Sequence, residues 1–165
     1  MDFVHIELKR DTWIHPVMKV QTPEEAVDAA QKLIENMDRE ALICIYLATS
    51  GRVINAAVCS IGAMDQSVVS PAEIIRTALV TGAKSMILLH NHPSGQVGPS
   101  KEDFLATRRM ACAGKLVGIH LLDHIVIGDR GMRNSMKENR ADLFEIQKDM
   151  DFSMIAAERN VENEE

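Results

Sequence analysis

Apolar strand-like runs alternate with capped helical stretches along these 165 residues, and that alternation predicts an α/β fold: a mixed, partly curled β-sheet flanked by helices. Two further observations sharpen it. Apolar residues make up 46% of the chain and aromatics only 4%, so the core is aliphatic, with ten Met as adaptable fillers. The apolar run Ser85 to Leu89 leads into His90 and His92, and Pro93, Gly95, Gly98 and Pro99 then break regular structure. The length fits one domain with a real core.

Taken in order, Val4 to Lys9 alternates apolar and polar residues as a half-exposed strand does, within an N-terminal extension over 1–21. Asp11 to Gln21 carries no clear pattern. Thr22-Pro23-Glu24-Glu25 starts a helix, with a Thr cap, Pro at the first helical position and Glu three after the cap. Ala26, Ala30, Leu33 and Ile34 keep helical spacing towards Asp38. Ala41 to Leu47 is a continuous apolar run, the mark of a central strand covered on both faces. Thr49-Ser50-Gly51 turns the chain, Val53 to Cys59 returns as a hairpin partner, and Gly62 to Val69 is a loop.

Ser70-Pro71-Ala72-Glu73 repeats the capping pattern, Ile74, Ile75, Ala78 and Leu79 form an apolar stripe, and Gly82 stops the helix. A helix between two strands favours a crossover with parallel pairing around it. After the loop, Phe104, Ala106, Met110, Ala111 and Leu116 mark a helix ending near Gly114 or Gly118. Ile119 to Ile127 is the last strong strand, Gly128-Asp129-Arg130-Gly131 a turn, and Ala141 to Ala157 a helix. The domain is expected over 22–150, with a helix end and acidic tail over 151–165.

Composition excludes several functions. The net charge is −6 and no basic footprint exists, so strong autonomous DNA binding is not expected. Cys44, Cys59 and Cys112 are odd in number and lack CxxC spacing, which argues against a disulfide framework or zinc knuckle. Cys44 and Cys59 lie in apolar runs and read as core residues. Met1-Asp2-Phe3 opens no signal peptide, and no apolar run spans a bilayer, so a cytoplasmic, reduced protein with no membrane partner is expected.

The chemistry concentrates at His90-Asn91-His92 and at Ser100 and Asp103. Positions two apart share a strand face, so both imidazoles point one way. Two neutral nitrogens and one carboxylate oxygen suit zinc, and three protein ligands leave a fourth position open. The plainer reading makes Ser100 an N-cap and Asp103 its acid, as at Thr22/Glu25 and Ser70/Glu73. One Asp is not expected to serve fully as both cap and ligand, and the paired histidines favour the metal. Ser94-Gly95 is better explained by the turn than by a nucleophile, and His5, His15 and His120 carry no signal.

His-x-His, seven residues, Ser, two residues and Asp, as at His90, His92, Ser100 and Asp103, resembles the metal motif of the JAB/MPN (JAMM) metalloprotease family. His90 to Gly95 and Leu122-Asp123-His124-Ile125 resemble its RadC-like branch, and the likeness runs from Thr22 to Ser135. The resemblance implies a JAB/MPN, cytidine-deaminase-like sandwich with one zinc per chain on His90, His92 and Asp103. It implies Glu40 as general base, just before the strand Ala41–Leu47, and Ser100 as donor to the oxyanion. Glu73 is the competing carboxylate, which the helix cap already explains. His124 is expected to pack rather than to support a ligand.

The implied activity is hydrolysis of amide bonds, peptide or isopeptide, with DNA repair as the branch's attached label. The alternative is a catalytically silent, zinc-stabilised binding module of a DNA-repair or mobile-element complex. A nucleic-acid hydrolase fits neither the charge nor the ligand set. The expected partner is a protein or peptide substrate of unknown identity, with a homodimer as a further option. The branch's N-terminal helix-hairpin-helix part is expected to be missing before Thr22, and its Pro-Arg-Glu reads Pro71-Ala72-Glu73 here.

Overall fold

A computed structural model describes residues 9, 19–34, 37, 39–62 and 70–149 of the chain. The elements follow as α1 (Pro23–Ile34), β1 (Ala41–Leu47), β2 (Val53–Ile61), α2 (Pro71–Thr81), β3 (Ser85–Asn91), α3 (Lys101–Leu116), β4 (His120–Ile127), β5 (Arg133–Ser135), α4 (Met136–Asn139) and α5 (Asp142–Asp149). A single 3₁₀ turn, Asp129–Gly131, joins β4 to β5. The strands form one mixed sheet in the order β2-β1-β3-β4-β5. The α/β expectation holds, and the sequence periods explain how the sheet is covered.

Every residue of β1 and of β3 is buried, as strands covered on both faces must be. Alternation sorts their side chains into two cores. Leu42, Cys44, Tyr46, Met86 and Leu88 pack with Ile74 and Ala78 of α2 and Met110 and Ala111 of α3. Ile45, Leu47, Ile87 and Leu89, with Ile125 of β4, pack on Ala26 and Ala30 of α1. Each fully buried aliphatic side chain contributes about 1.5–3 kcal/mol. Cys44 is a core residue as expected, and burial pushes its thiol pKa up.

The expected pairing around α2 needs correction. β2 and β3 are not neighbours, because β1 lies between them and pairs antiparallel with both. The hairpin partner of β1 takes the sheet edge, and α2 must carry the chain across β1. The parallel ladder is β3–β4, joined through α3.

Capping logic also held unevenly. Thr22 and Glu25 form a reciprocal box: the Glu25 N–H donates to Thr22 Oγ1 at 3.3 Å and the Thr22 N–H to Glu25 Oε2 at 3.2 Å. Ser70 makes no side-chain cap bond, and Glu73 instead accepts from Arg76 Nη1 at 2.9 Å. Gly82 closes α2 at φ 70° as expected. Of the two helix ends expected, Gly118 holds: α3 stops at Leu116 and Gly118 follows its cap at φ 72°. Gly114 lies inside the helix, where a Cβ would sit 2.3 Å from the Ile119 carbonyl oxygen. The helix therefore runs on to Leu116, which is half exposed, while Thr107 takes an inward place in the stripe. The strand expected at 4–9, the loop at 63–69, the continuation of α5 past Asp149 and the acidic tail lie outside the described residues, Lys9 excepted. Among the described residues, no helix is long and apolar enough to cross a membrane.

Candidate metal centre

β3 delivers the first histidine. Its alternation turns Met86, Leu88 and His90 towards α3, and His90 is wholly buried opposite Leu42 of β1 and Val126 of β4. The ladder to β4 continues past the strand, since the His92 N–H donates to the Ile127 carbonyl at 2.9 Å. That bond fixes the second histidine just beyond the strand end. The loop then turns at Gly95, φ 76°, and leans on Gly128, where a Cβ would lie 2.4 Å from the Gly95 carbonyl oxygen. Glycine at 128 lets the metal loop lie flat on the β4 turn. The loop ends at Ser100, the N-cap of α3, and its capping box places Asp103 in the first turn.

Four side chains converge. His90 Nε2 lies 2.9 Å from His92 Nε2 and 3.3 Å from Asp103 Oδ1. His92 Nε2 lies 3.8 Å from Asp103 Oδ2 and 4.0 Å from Glu40 Oε1. One donor atom from each of Glu40, His90, His92 and Asp103 lies within 4.8 Å of the others, and the group could hold a metal ion. Glu73 is not part of it; its side chain is 63% exposed on α2. Ser100 stands beside the cluster, its hydroxyl donating to Asp103 Oδ2 at 2.7 Å.

Asp103 combines two roles that the sequence set against each other. Its Oδ2 closes the cap, accepting from the Ser100 N–H and hydroxyl, each at 2.7 Å. Its Oδ1 faces the histidines, buried and without a hydrogen-bond partner. Buried acceptors are almost always satisfied, so a lone carboxylate oxygen beside two imidazoles fits a cation. Tetrahedral zinc at about 2.0–2.1 Å from its donors would space them roughly 3.3 Å apart, close to the spacings here. Burial acts to raise the Asp103 pKa, but His90 and the two Ser100 donors outweigh it and hold the carboxyl well below its usual range.

Hydrogen bonds behind the cluster set the tautomers. His92 Nδ1 lies 2.9 Å from the Gln96 carbonyl, which can only accept, so Nδ1 carries the proton and Nε2 presents a lone pair. His90 Nδ1 lies 2.9 Å from His124 Nε2, and His124 Nδ1 lies 2.7 Å from Thr107 Oγ1. Thr107 donates in turn to the Asp103 carbonyl at 2.7 Å. Read from that carbonyl backwards, each group donates to the next, and His90 Nε2 is left bare towards the cluster. His124 is therefore more than packing: its ring meets His90 directly. Burial first, then the neighbouring His90, lowers its pKa well below the ordinary histidine value, which keeps it neutral. Thr107 was missed by sequence reasoning. Its signal was the four-residue helical step from Asp103, which puts both on one face of α3.

A family model for the RadC-like JAB domain matches residues 20–141. The chain belongs to the RadC-like JAB domain family. A UPF0758 protein of Halalkalibacterium halodurans is 42% identical over 111 residues, covering 67% of this chain and 48% of that protein. A UPF0758 protein of Methanosarcina mazei is 37% identical over 123 residues, 74% of this chain and 53% of its own. One of Shouchella clausii is 39% identical over 132 residues, 79% of this chain and 56% of its own. The chain thus spans about half the length of the curated relatives it matches. All four clustered side chains of this RadC-like JAB domain fall inside the matched stretch.

Proposed function

We propose that this RadC-like JAB domain is a zinc-dependent hydrolase of amide bonds, peptide or isopeptide. The observation that carries the reading is the orphaned Asp103 Oδ1 facing two imidazole nitrogens, with a second carboxylate, Glu40, at the rim. His90, His92 and Asp103 hold the metal, one ion per chain. When bound, zinc acts as a Lewis acid and lowers the pKa of water from about 15.7 to about 7. Glu40 takes the proton of the attacking water and returns it to the leaving amine, a step typically worth about 10²–10⁴-fold. Ser100 donates to the oxyanion of the tetrahedral intermediate. Its hydroxyl must turn from Asp103 Oδ2 to do so, and that oxygen keeps the bond from the Ser100 N–H.

One observation favours a second reading. The chain from His90 through His124 and Thr107 ties the cluster to the core, so a metal there would also brace the fold. The domain would then be a zinc-stabilised binding module of a DNA-repair or mobile-element complex. Glu40→Gln separates the two. It should leave the site loaded at saturating zinc, yet lower turnover on a cleaved peptide or isopeptide by roughly 10² or more. Glu73→Gln, on an exposed residue, should leave turnover unchanged. Full activity in Glu40→Gln would refute the base. A cellular phenotype lost in His92→Ala but kept in Glu40→Gln would favour the module.

A further inference from the structure

Asn91 stands between the two histidines and points to the opposite face of the strand from both. It is 8% exposed. The backbone ladder between β1 and β3 ends at Leu42–His90. One step further, the Asn91 side chain takes over: its Oδ1 accepts from the Ala41 N–H at 2.8 Å and its Nδ2 donates to the Arg39 carbonyl at 3.0 Å. Those peptide groups flank Glu40 on either side. The Glu40 carbonyl itself accepts from the Gly62 N–H at 2.7 Å. Three hydrogen bonds therefore fix the backbone that carries the Glu40 carboxylate. Since Ala41 N–H can only donate and the Arg39 carbonyl only accept, the orientation of the amide is forced. An Asp would lose the donor, and a Leu both bonds.

We infer that Asn91 is a positioning residue: it grips the chain on both sides of Glu40 and so sets that carboxylate beside His90, His92 and Asp103. This rests on Glu40 serving the metal site as proposed above. One strand end then carries two ligands on one face and, on the other, the clamp that places the base. The middle residue of the His-x-His run couples the two.

Zinc affinity, measured by competition with a chromophoric chelator, tests the coupling without any substrate. The proteins are the full chain, Asn91→Ala, Glu40→Gln and the double variant. The Glu40 carboxylate lies 4.0 Å from His92 Nε2, so its charge favours a cation in the cluster. Glu40→Gln should weaken zinc binding by about 10-fold, and Asn91→Ala by a similar factor, the usual size for outer partners of a metal site. If Asn91 acts through Glu40, the double variant binds no more weakly than Glu40→Gln alone. If the losses multiply, Asn91 only supports the histidine strand and the inference fails, while the assignment of Glu40 stands. If Glu40→Gln leaves affinity unchanged while Asn91→Ala weakens it, Asn91 does not act through Glu40 and the inference fails, while the turnover test still decides Glu40 as base. Should Asn91→Ala not fold, Asn91→Thr, whose hydroxyl both donates and accepts, goes through the same cycle under the same criteria.

Discussion

Asp103 shows how one side chain can satisfy two patterns that seemed exclusive. The sequence displayed a capping box and a ligand set at the same residue. Two oxygens share the work, Oδ2 to the cap and Oδ1 to the cluster. Spacing cannot reveal that division, because it depends on the carboxylate's orientation. His124 was underrated for a similar reason: its contact with His90 crosses between adjacent strands, and the register is not written in either one. His124 yields a pH prediction for the metal-free protein. Burial depresses its folded pKa well below 6.5, its ordinary value, so the unfolded chain takes up the proton first. Its stabilising effect is therefore present above that value and lost as pH falls through it, by up to about 1.4 kcal/mol per pH unit for one proton. Urea unfolding in chelator between neutral and mildly acid pH should show this slope, reduced in His124→Gln. Equal slopes in both proteins would contradict the assignment.

At the level of elements, the long periodic stretches were legible. α1, β1, β3, α3 and β4 lie where apolar spacing put them, since each buries a complete face or both faces. β5 and α4 were not foreseen: Arg133–Ser135 and Met136–Asn139 are too short and polar to carry a period. Gly114 and Gly118 could not be told apart as the end of α3, because glycine at a helix end and glycine at a close crossing look alike in sequence. The crossing makes a prediction. Gly→Ala inside a helix normally gains about 1 kcal/mol of helix propensity. Here the added Cβ meets the Ile119 carbonyl at 2.3 Å and Met86 Cε at 3.0 Å. Gly114→Ala should therefore destabilise, by about 1–3 kcal/mol as overpacking does, in denaturant melts. A neutral or stabilising result would show that α3 and the Ile119 segment separate easily.

For the whole molecule, charge and topology decide what can be expected of it. From a net charge of −6 we predict that binding to bare duplex DNA is weak and readily abolished by salt, because few phosphates would be neutralised. A fluorescence titration giving tight, salt-insensitive binding would contradict this. The sheet order, with β3 central and the wholly apolar β1 beside it, brings Glu40, β3, the metal loop and the start of α3 to one place. The two histidines and Asp103 were readable from spacing alone. Glu40 was not, because its approach depends on β1 pairing antiparallel with β3, a contact spanning about half a hundred residues of sequence. The most direct measurement of the metal assignment is elemental analysis of the purified chain beside His92→Ala and Asp103→Ala. About one zinc per chain is expected for the three-ligand site, with most of it lost in both variants. Full zinc in both variants would contradict the site.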